Sequence, residues 1–359
     1  MRAPIAVGLL AAALLAPTAD ATQVQRARYL MGTICTVVAD APESRRAVTP
    51  ADGTAVEDSA RAVVAGASDT TRAAAAVVRA LDEIDRLDRV MSSWRVDSEL
   101  SRLNASGGMW VPCSKDLYAV LDSSLAFAEM TRGAFDPTIE PLNRAWDTRG
   151  KGKLPNAFTA ERALMMVGYQ KMSLDPGTQR AFLSFTGMGV DLGGIGKGYA
   201  LDRAARSMRD AGVSRALLNF GGETLALGEK WEVAVADPSE RLKPVVRLVV
   251  SDAAVSTSSQ SERGIVIKKK RYGHIFDPRT GQPVESQASV SVVARSATRA
   301  DALSTALLVM GRDAAETFAA KHPEIGVLWI EPVDGTMQIW KWNLSNLAAE
   351  TDAAVEWMN

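Results

Sequence analysis

The sequence predicts an α+β fold in a single domain. Three observations carry that expectation. The chain has 359 residues, 47% of them hydrophobic, enough for a large core. Short strand-like apolar runs and longer runs of helical period both occur along it, and no segment repeats internally.

The first element is a leader. Arg2 is followed by an apolar run over 5–15 and by Thr18-Ala-Asp-Ala21, a charged start, a short apolar segment and a small-x-small site. That pattern reads as a secretory signal over 1–21, which makes the product periplasmic or otherwise exported. The domain is then 22–359, with no stable membrane insertion after the signal is removed. Residues 28–39 alternate as a strand, with Met31-Gly-Thr33 near its start. Residues 41–71 turn to Ala, Ser, Thr, Asp and Arg without apolar period, which predicts a mobile surface insertion.

A helix is expected over 72–90, where Val77, Val78, Leu81, Ile84 and Leu87 share a face. Asp97 or Ser98 could cap a short helix after it, and a longer one spans 114–131 and stops at Gly133. Ala134-Phe135-Asp136-Pro137 is an apolar and aromatic turn that proline closes. Residues 160–167 read as a helix with Thr159 as N-cap. Strands are expected at 171–174, 181–185, 216–220, 231–236, 245–250, 265–269 and 289–293. A helix at 314–321 and strands at 325–330 and 337–340 close the chain.

A net charge of −1 offers no basic field for nucleic acid and no charge block for an acidic partner. Cys35 and Cys113 are the only cysteines, too few for a disulfide framework, and the sequence leaves open whether they pair.

The chemistry concentrates in three distant stretches. Gly193, Gly194, Gly196 and Gly198 expose backbone before an apolar-periodic helix, and a helix N-terminus favours anions. Lys197 lies among them. Asp301 and Thr305 are four apart in a helical run ending near Gly311, so both oxygens leave one face, an arrangement suited to a hard ion such as Mg²⁺ shared with phosphates. His274-Ile275-Phe-Asp277-Pro-Arg-Thr-Gly adds an imidazole and a carboxylate ahead of a turn. His274 is the candidate proton acceptor and Asp277 the alternative, while His322 reads as surface. Each piece alone has an ordinary structural reading, as a tight turn, a solvated face or a strand end.

Taken in order, Met31-Gly-Thr33, Met91-Ser-Ser-Trp94, Asp97-Ser-Glu-Leu-Ser-Arg-Leu-Asn104, Gly133-Ala-Phe-Asp-Pro-Thr138, the segment from Asp191 to Asp202, Asn219-Phe-Gly-Gly-Glu223, His274 to Gly281 and Thr298 to Thr305 resemble the ApbE family, flavin transferases that move FMN from FAD onto a protein. The resemblance implies mixed or antiparallel sheets flanked by helices. It implies that Met31, Trp94, Ala134, Phe135 and Asp136 line the flavin and adenine pockets, with Trp94 standing where the family usually has tyrosine. Asp191, Lys197 and Ile275 would contact FAD, and Gly194, Asp301 and Thr305 would hold Mg²⁺. The partner implied is an exported flavoprotein with a Thr or Ser acceptor motif. Two other activities fit the same residues: an FAD pyrophosphatase giving FMN and AMP, and an FAD-binding carrier without chemistry.

Overall fold

A computed structural model describes residues 23–41, 55–240, 242–344, 349–351 and 355–358, with side chains in the first long helix described from Asp69 onward. The leader over 1–21 and residues 42–54 lie outside the described residues.

The frame is a nine-stranded sheet. Its strands run in the spatial order Gln23–Leu30, Thr33–Asp40, Ala216–Phe220, Glu223–Leu227, Ala254–Ser259, Ser289–Ala294, Gly326–Val333, Thr336–Trp342 and Val355–Met358. Every neighbouring pair is antiparallel except the last, which is parallel. Successive side chains of a strand point to opposite faces, and here both faces are buried. Val37, Leu218, Val292 and Trp329 pack toward the helices, whereas their neighbours Val38, Leu217, Val293 and Leu328 pack toward a second, three-stranded sheet containing Trp231–Ala236 and Pro244–Val250. The result is three layers: helices, large sheet, small sheet.

The helical layer holds Ala55–Met91, Gly196–Asp210 and Ala297–Met310. A smaller apolar cluster of Leu142, Trp146, Ala163, Val167, Ile265 and Phe276 gathers Glu140–Trp146 and Ala157–Met165 against the loop that carries His274.

Four expectations are corrected. The strand expected over 28–39 is a hairpin, turned at Met31 (φ +46°) and Gly32 (φ +78°), the left-handed pair that a two-residue hairpin turn needs. The segment 55–71, expected within a mobile insertion, is the first part of the helix Ala55–Met91; its alanines favour helix even without an apolar stripe. The N-cap near 159 is Asn156, whose carbonyl accepts from the Thr159 amide at 2.8 Å, so that helix starts at Ala157. The helix expected from 314 starts at Arg312, directly after Gly311. Ser98 and Ser114 cap Glu99–Ala105 and Lys115–Met130 through their hydroxyls. Cys35 and Cys113 are both buried and both free, and burial pushes the Cys35 thiol up to about 12.

Candidate functional site

Gly196–Asp210 and Ala297–Met310 cross at Gly198. A Cβ there would lie 2.2 Å from the Ala297 carbonyl oxygen, so only glycine allows the approach. The closeness lets the Gly198 amide donate to Asp301 Oδ2 at 3.0 Å. Four residues along the same helix, Asp202 caps the partner helix. Its carboxylate accepts from Ser296 Oγ (2.7 Å), the amides of Ala297 and Thr298 (2.9 Å each) and Thr298 Oγ1 (2.6 Å). Two aspartates thus fix one helix against the other. None of Gly193, Gly194, Gly196 and Gly198 has a positive φ, so these glycines matter for the space they leave.

That packing places the candidate oxygen ligands. Asp301 is buried; desolvation raises its carboxyl pKa, and the Lys197 charge and the Gly198 N–H oppose the rise. One turn on, Thr305 Oγ1 lies 3.2 Å from Ser258 Oγ and 3.1 Å from where a Gly194 Cβ would stand. The Phe135 ring comes within 3.4 Å of that same point. Gly194, Thr305 and Phe135, spread over 171 positions, therefore meet, with Asp301 one turn before Thr305 on the same helix.

Lys197 points to the other flank, where its ammonium pairs with Glu223. Glu223 follows the Gly221 (φ +65°) and Gly222 (φ +99°) turn. A Cβ on Gly221 would come within 2.7 Å of the Thr33 side chain, so this turn abuts the half-buried Met31 turn.

His274 stands near both. Its half-buried ring contacts the Arg263 carbonyl through Nδ1 at 3.2 Å. A carbonyl only accepts, so Nδ1 carries the proton and the lone pair is on Nε2, the state of a base. Burial pulls the His274 pKa down to about 4; the Arg263 hydrogen bond and the Asp191 charge resist, and the charges of Arg263 and Lys197 push the same way as burial. Gln260 seats the segment. It donates to the Ile275 carbonyl at 2.6 Å and accepts from the Ile275 amide at 3.0 Å, and a Cβ on Gly273 would collide with its amide. Asp277 is placed differently from an open base. Arg279 grips both its oxygens at 2.8 Å and adds a backbone amide at 2.9 Å, a turn-anchoring pair.

A third group surrounds Trp94, whose indole is 63% exposed. The Arg149 guanidinium lies over this ring, 5.5 Å from its centroid. It donates to Glu140 Oε1 (2.8 Å), Glu140 Oε2 (2.6 Å), Asp191 Oδ2 (2.6 Å) and Ser93 Oγ (3.0 Å). Asp191 also accepts from the Gly193 amide at 2.7 Å, and its own amide donates to the Pro137 carbonyl at 2.8 Å. The glycine loop is thereby tied to the Ala134–Pro137 turn. Ala134 and Phe135 are buried in the main core. Asp136 is buried with its carboxylate committed: Thr138 donates to it through N (2.8 Å) and Oγ1 (2.6 Å), and the Tyr169 amide at 2.8 Å. It shapes the turn.

Glu223, Gln260, Ser258, Glu140 and Arg149 were not singled out from the sequence. Glu223 carried a signal, as the end of Asn219-Phe-Gly-Gly-Glu, and the other four sit in no motif. Among the described residues no group of three or more His, Cys, Asp or Glu side chains could hold a metal. A cation here would rest on one carboxylate, one hydroxyl, a backbone carbonyl and oxygens of the bound substrate. Those donors fit a hard ion, and the missing side chain of Gly194 lets Thr305 and Phe135 close up on this backbone. Two surface clefts of 450 and 570 Å³ are lined by other residues and hold none of these groups.

The ApbE family model matches residues 31–329. The chain is 33% identical over 287 residues to an FAD:protein FMN transferase of Treponema pallidum (strain Nichols), covering 73% of this chain and 79% of that protein. It is 33% identical over 263 residues to the protein of the same name from Klebsiella pneumoniae (strain 342), covering 69% and 75%. The crystal structure of the ApbE protein from Thermotoga maritima is similar with a TM-score of 0.72 at 27% identity, covering 92% of this chain and 97% of that one. The family match spans every motif placed at the site above, and with it this chain belongs to the ApbE family.

Proposed function

We propose that this protein transfers FMN from FAD, through a phosphoester bond, to a threonine or serine hydroxyl of an exported flavoprotein, with Mg²⁺ required and AMP released. The chain is an enzyme of the transferase class, as its relatives are by name. One observation carries the finer reading: Gly194, Asp301 and Thr305 converge beside a lysine whose charge is already balanced. Around the site Lys197, Arg149, Arg144 and Arg263 face Asp191, Glu140, Glu223 and, when ionised, Asp301. Four cations against four carboxylates leave nothing to balance a pyrophosphate carrying two negative charges. A divalent cation supplies what the side chains lack, and when bound it would neutralise pyrophosphate charge and polarise the phosphorus centre.

The residues then divide the work. Met31 and Trp94 offer apolar and planar surface to the ring systems, and Phe135 and Ile275 back them from the core. Lys197 faces the phosphates. The acceptor hydroxyl oxygen bonds to the phosphorus of the FMN half as the bridging P–O bond to AMP breaks, and AMP leaves with that electron pair. The hydroxyl proton passes to Nε2 of His274, whose Nδ1–H stays on the Arg263 carbonyl. Asp277, paired with Arg279, holds the turn behind it.

The test is incubation of the protein from residue 22 onward with FAD and Mg²⁺, with and without an acceptor peptide, following AMP and peptide mass. A peptide gain of one FMN that is lost in Asp301→Ala supports the reading. AMP and free FMN without labelling would make the protein a pyrophosphatase, and FAD bound unchanged would make it a carrier. Cell fractionation checks export: the reading requires the mature protein outside the cytoplasm, shortened by the leader.

A further inference from the structure

Glu223 is a buried carboxylate, 3% exposed, with an imbalance between its two oxygens. Oε1 takes the Lys197 ammonium; Oε2 is also buried and has no hydrogen-bond partner among the described residues. An acceptor oxygen removed from water and left without a donor is costly, and such a group in a native site calls for a partner, a water, an ion or a ligand. Lys197, which this carboxylate holds, carries a charge that acts on Asp301 and His274, so in the transfer reading the unpartnered oxygen lies one ion pair away from the phosphate-facing lysine. A carboxylate repels phosphate oxygens. What it takes there is a donor, and the donors flanking a dinucleotide's pyrophosphate are hydroxyls.

We propose that Glu223 Oε2 is a substrate-contact atom: it accepts a hydrogen bond from a substrate hydroxyl adjacent to the pyrophosphate, while Oε1 holds Lys197. The inference rests on the transfer reading above and adds to it a residue that discriminates polyol or alcohol from bare phosphate. The hydroxyl belongs either to the sugar or ribityl chain of FAD or to the incoming threonine or serine. Both are the same chemistry at this atom, and binding constants separate them.

Glu223→Gln preserves shape but removes the charge and offers a donor where the site needs an acceptor. Binding of FAD with Mg²⁺ is read by quenching of flavin fluorescence, binding of inorganic pyrophosphate by competition, and the acceptor by its KM. The expected result is at least a tenfold loss, in the Kd for FAD if the nucleotide supplies the hydroxyl or in the acceptor KM if the acceptor does. Pyrophosphate, which has no hydroxyl, should compete no more weakly than before, since the change also frees the Lys197 charge. Parallel weakening of FAD and pyrophosphate would overturn the proposal, leaving Glu223 as a support for Lys197. Unchanged FAD binding together with an unchanged acceptor KM would overturn it as well. Should the Gln variant not fold, Glu223→Asp, which keeps the charge and withdraws the oxygen by one methylene, is read in the same way. Failure of the unaltered protein to label any acceptor would refute the transfer reading, whereas the comparison of FAD with pyrophosphate needs no turnover and still decides the nucleotide arm.

Discussion

His274 is held neutral. Its pKa, pulled down to about 4 by burial, lies below the ordinary imidazole value of 6.5, so the proton-accepting form persists as pH falls past 6.5 and is lost only on approach to 4. With His274 in the proposed role of base, the acid limb of kcat/KM should therefore fall near pH 4, with no inflection at 6.5, in a profile taken on the folded protein. An inflection near 6.5 that disappears in His274→Gln would contradict the derived environment. Cys35 behaves in the opposite sense. With its thiol pushed up to about 12 and its side chain buried, it should resist alkylation at pH 8 until the protein is unfolded, and rapid labelling in the native state would count against that burial. At this scale the sequence was a fair guide to which residues converge and a poor one to why. Gly198 reads as backbone bared for a ligand, yet its missing side chain accommodates Ala297 of another helix. Asp277 reads as a spare base and is instead bound by its neighbour Arg279, a local ion pair that residue identity does not reveal.

Two helices decide whether Asp301 and Thr305 reach the glycine loop, and both are held by contacts open to test. Gly198→Ala inserts a methyl 2.2 Å from a carbonyl oxygen. It should destabilise by about 1–3 kcal/mol, as overpacking does, and denaturant unfolding would read the loss. An unchanged midpoint would mean the helices separate without cost. Asp202→Ala removes the carboxylate that caps the second helix from outside, a change of about 1–2 kcal/mol by analogy with lost caps. It should also weaken Mg²⁺-dependent binding of FAD, because Asp301 lies in the next turn. Residues 231–236, which alternate, and 216–220, which do not, are both strands at the expected bounds. Glu223–Leu227 and Ala254–Ser259 were missed: like Ser289–Ala294 they are buried along both faces without alternation, but they lack the valine-rich run that marks that strand in the sequence. The second is Ser- and Thr-rich, and two of its hydroxyls are satisfied across space, Ser258 by Ser304 and Thr257 by Ser291.

Across the whole molecule the layers form without the cation, since Asp301 and Thr305 belong to a helix already packed in the main core. Chelation should therefore abolish FMN transfer and leave the unfolding midpoint of the FAD-free protein where it was. FAD should raise that midpoint only when Mg²⁺ is present, by about 2.7 kcal/mol of added stability at a hundredfold excess over Kd. A protein that melts earlier on chelation without FAD would show the ion to be structural.

The order of the large sheet has a topological corollary. The first strand, Gln23–Leu30, and the last, Val355–Met358, occupy its two opposite margins, eight inter-strand steps apart. At about 4.8 Å per step, the ends of the described chain are separated by about 38 Å along the sheet. Splicing them together would take a bridge of about eleven extended residues, and a circular permutant with a tighter joint would have to peel one marginal strand from its neighbour.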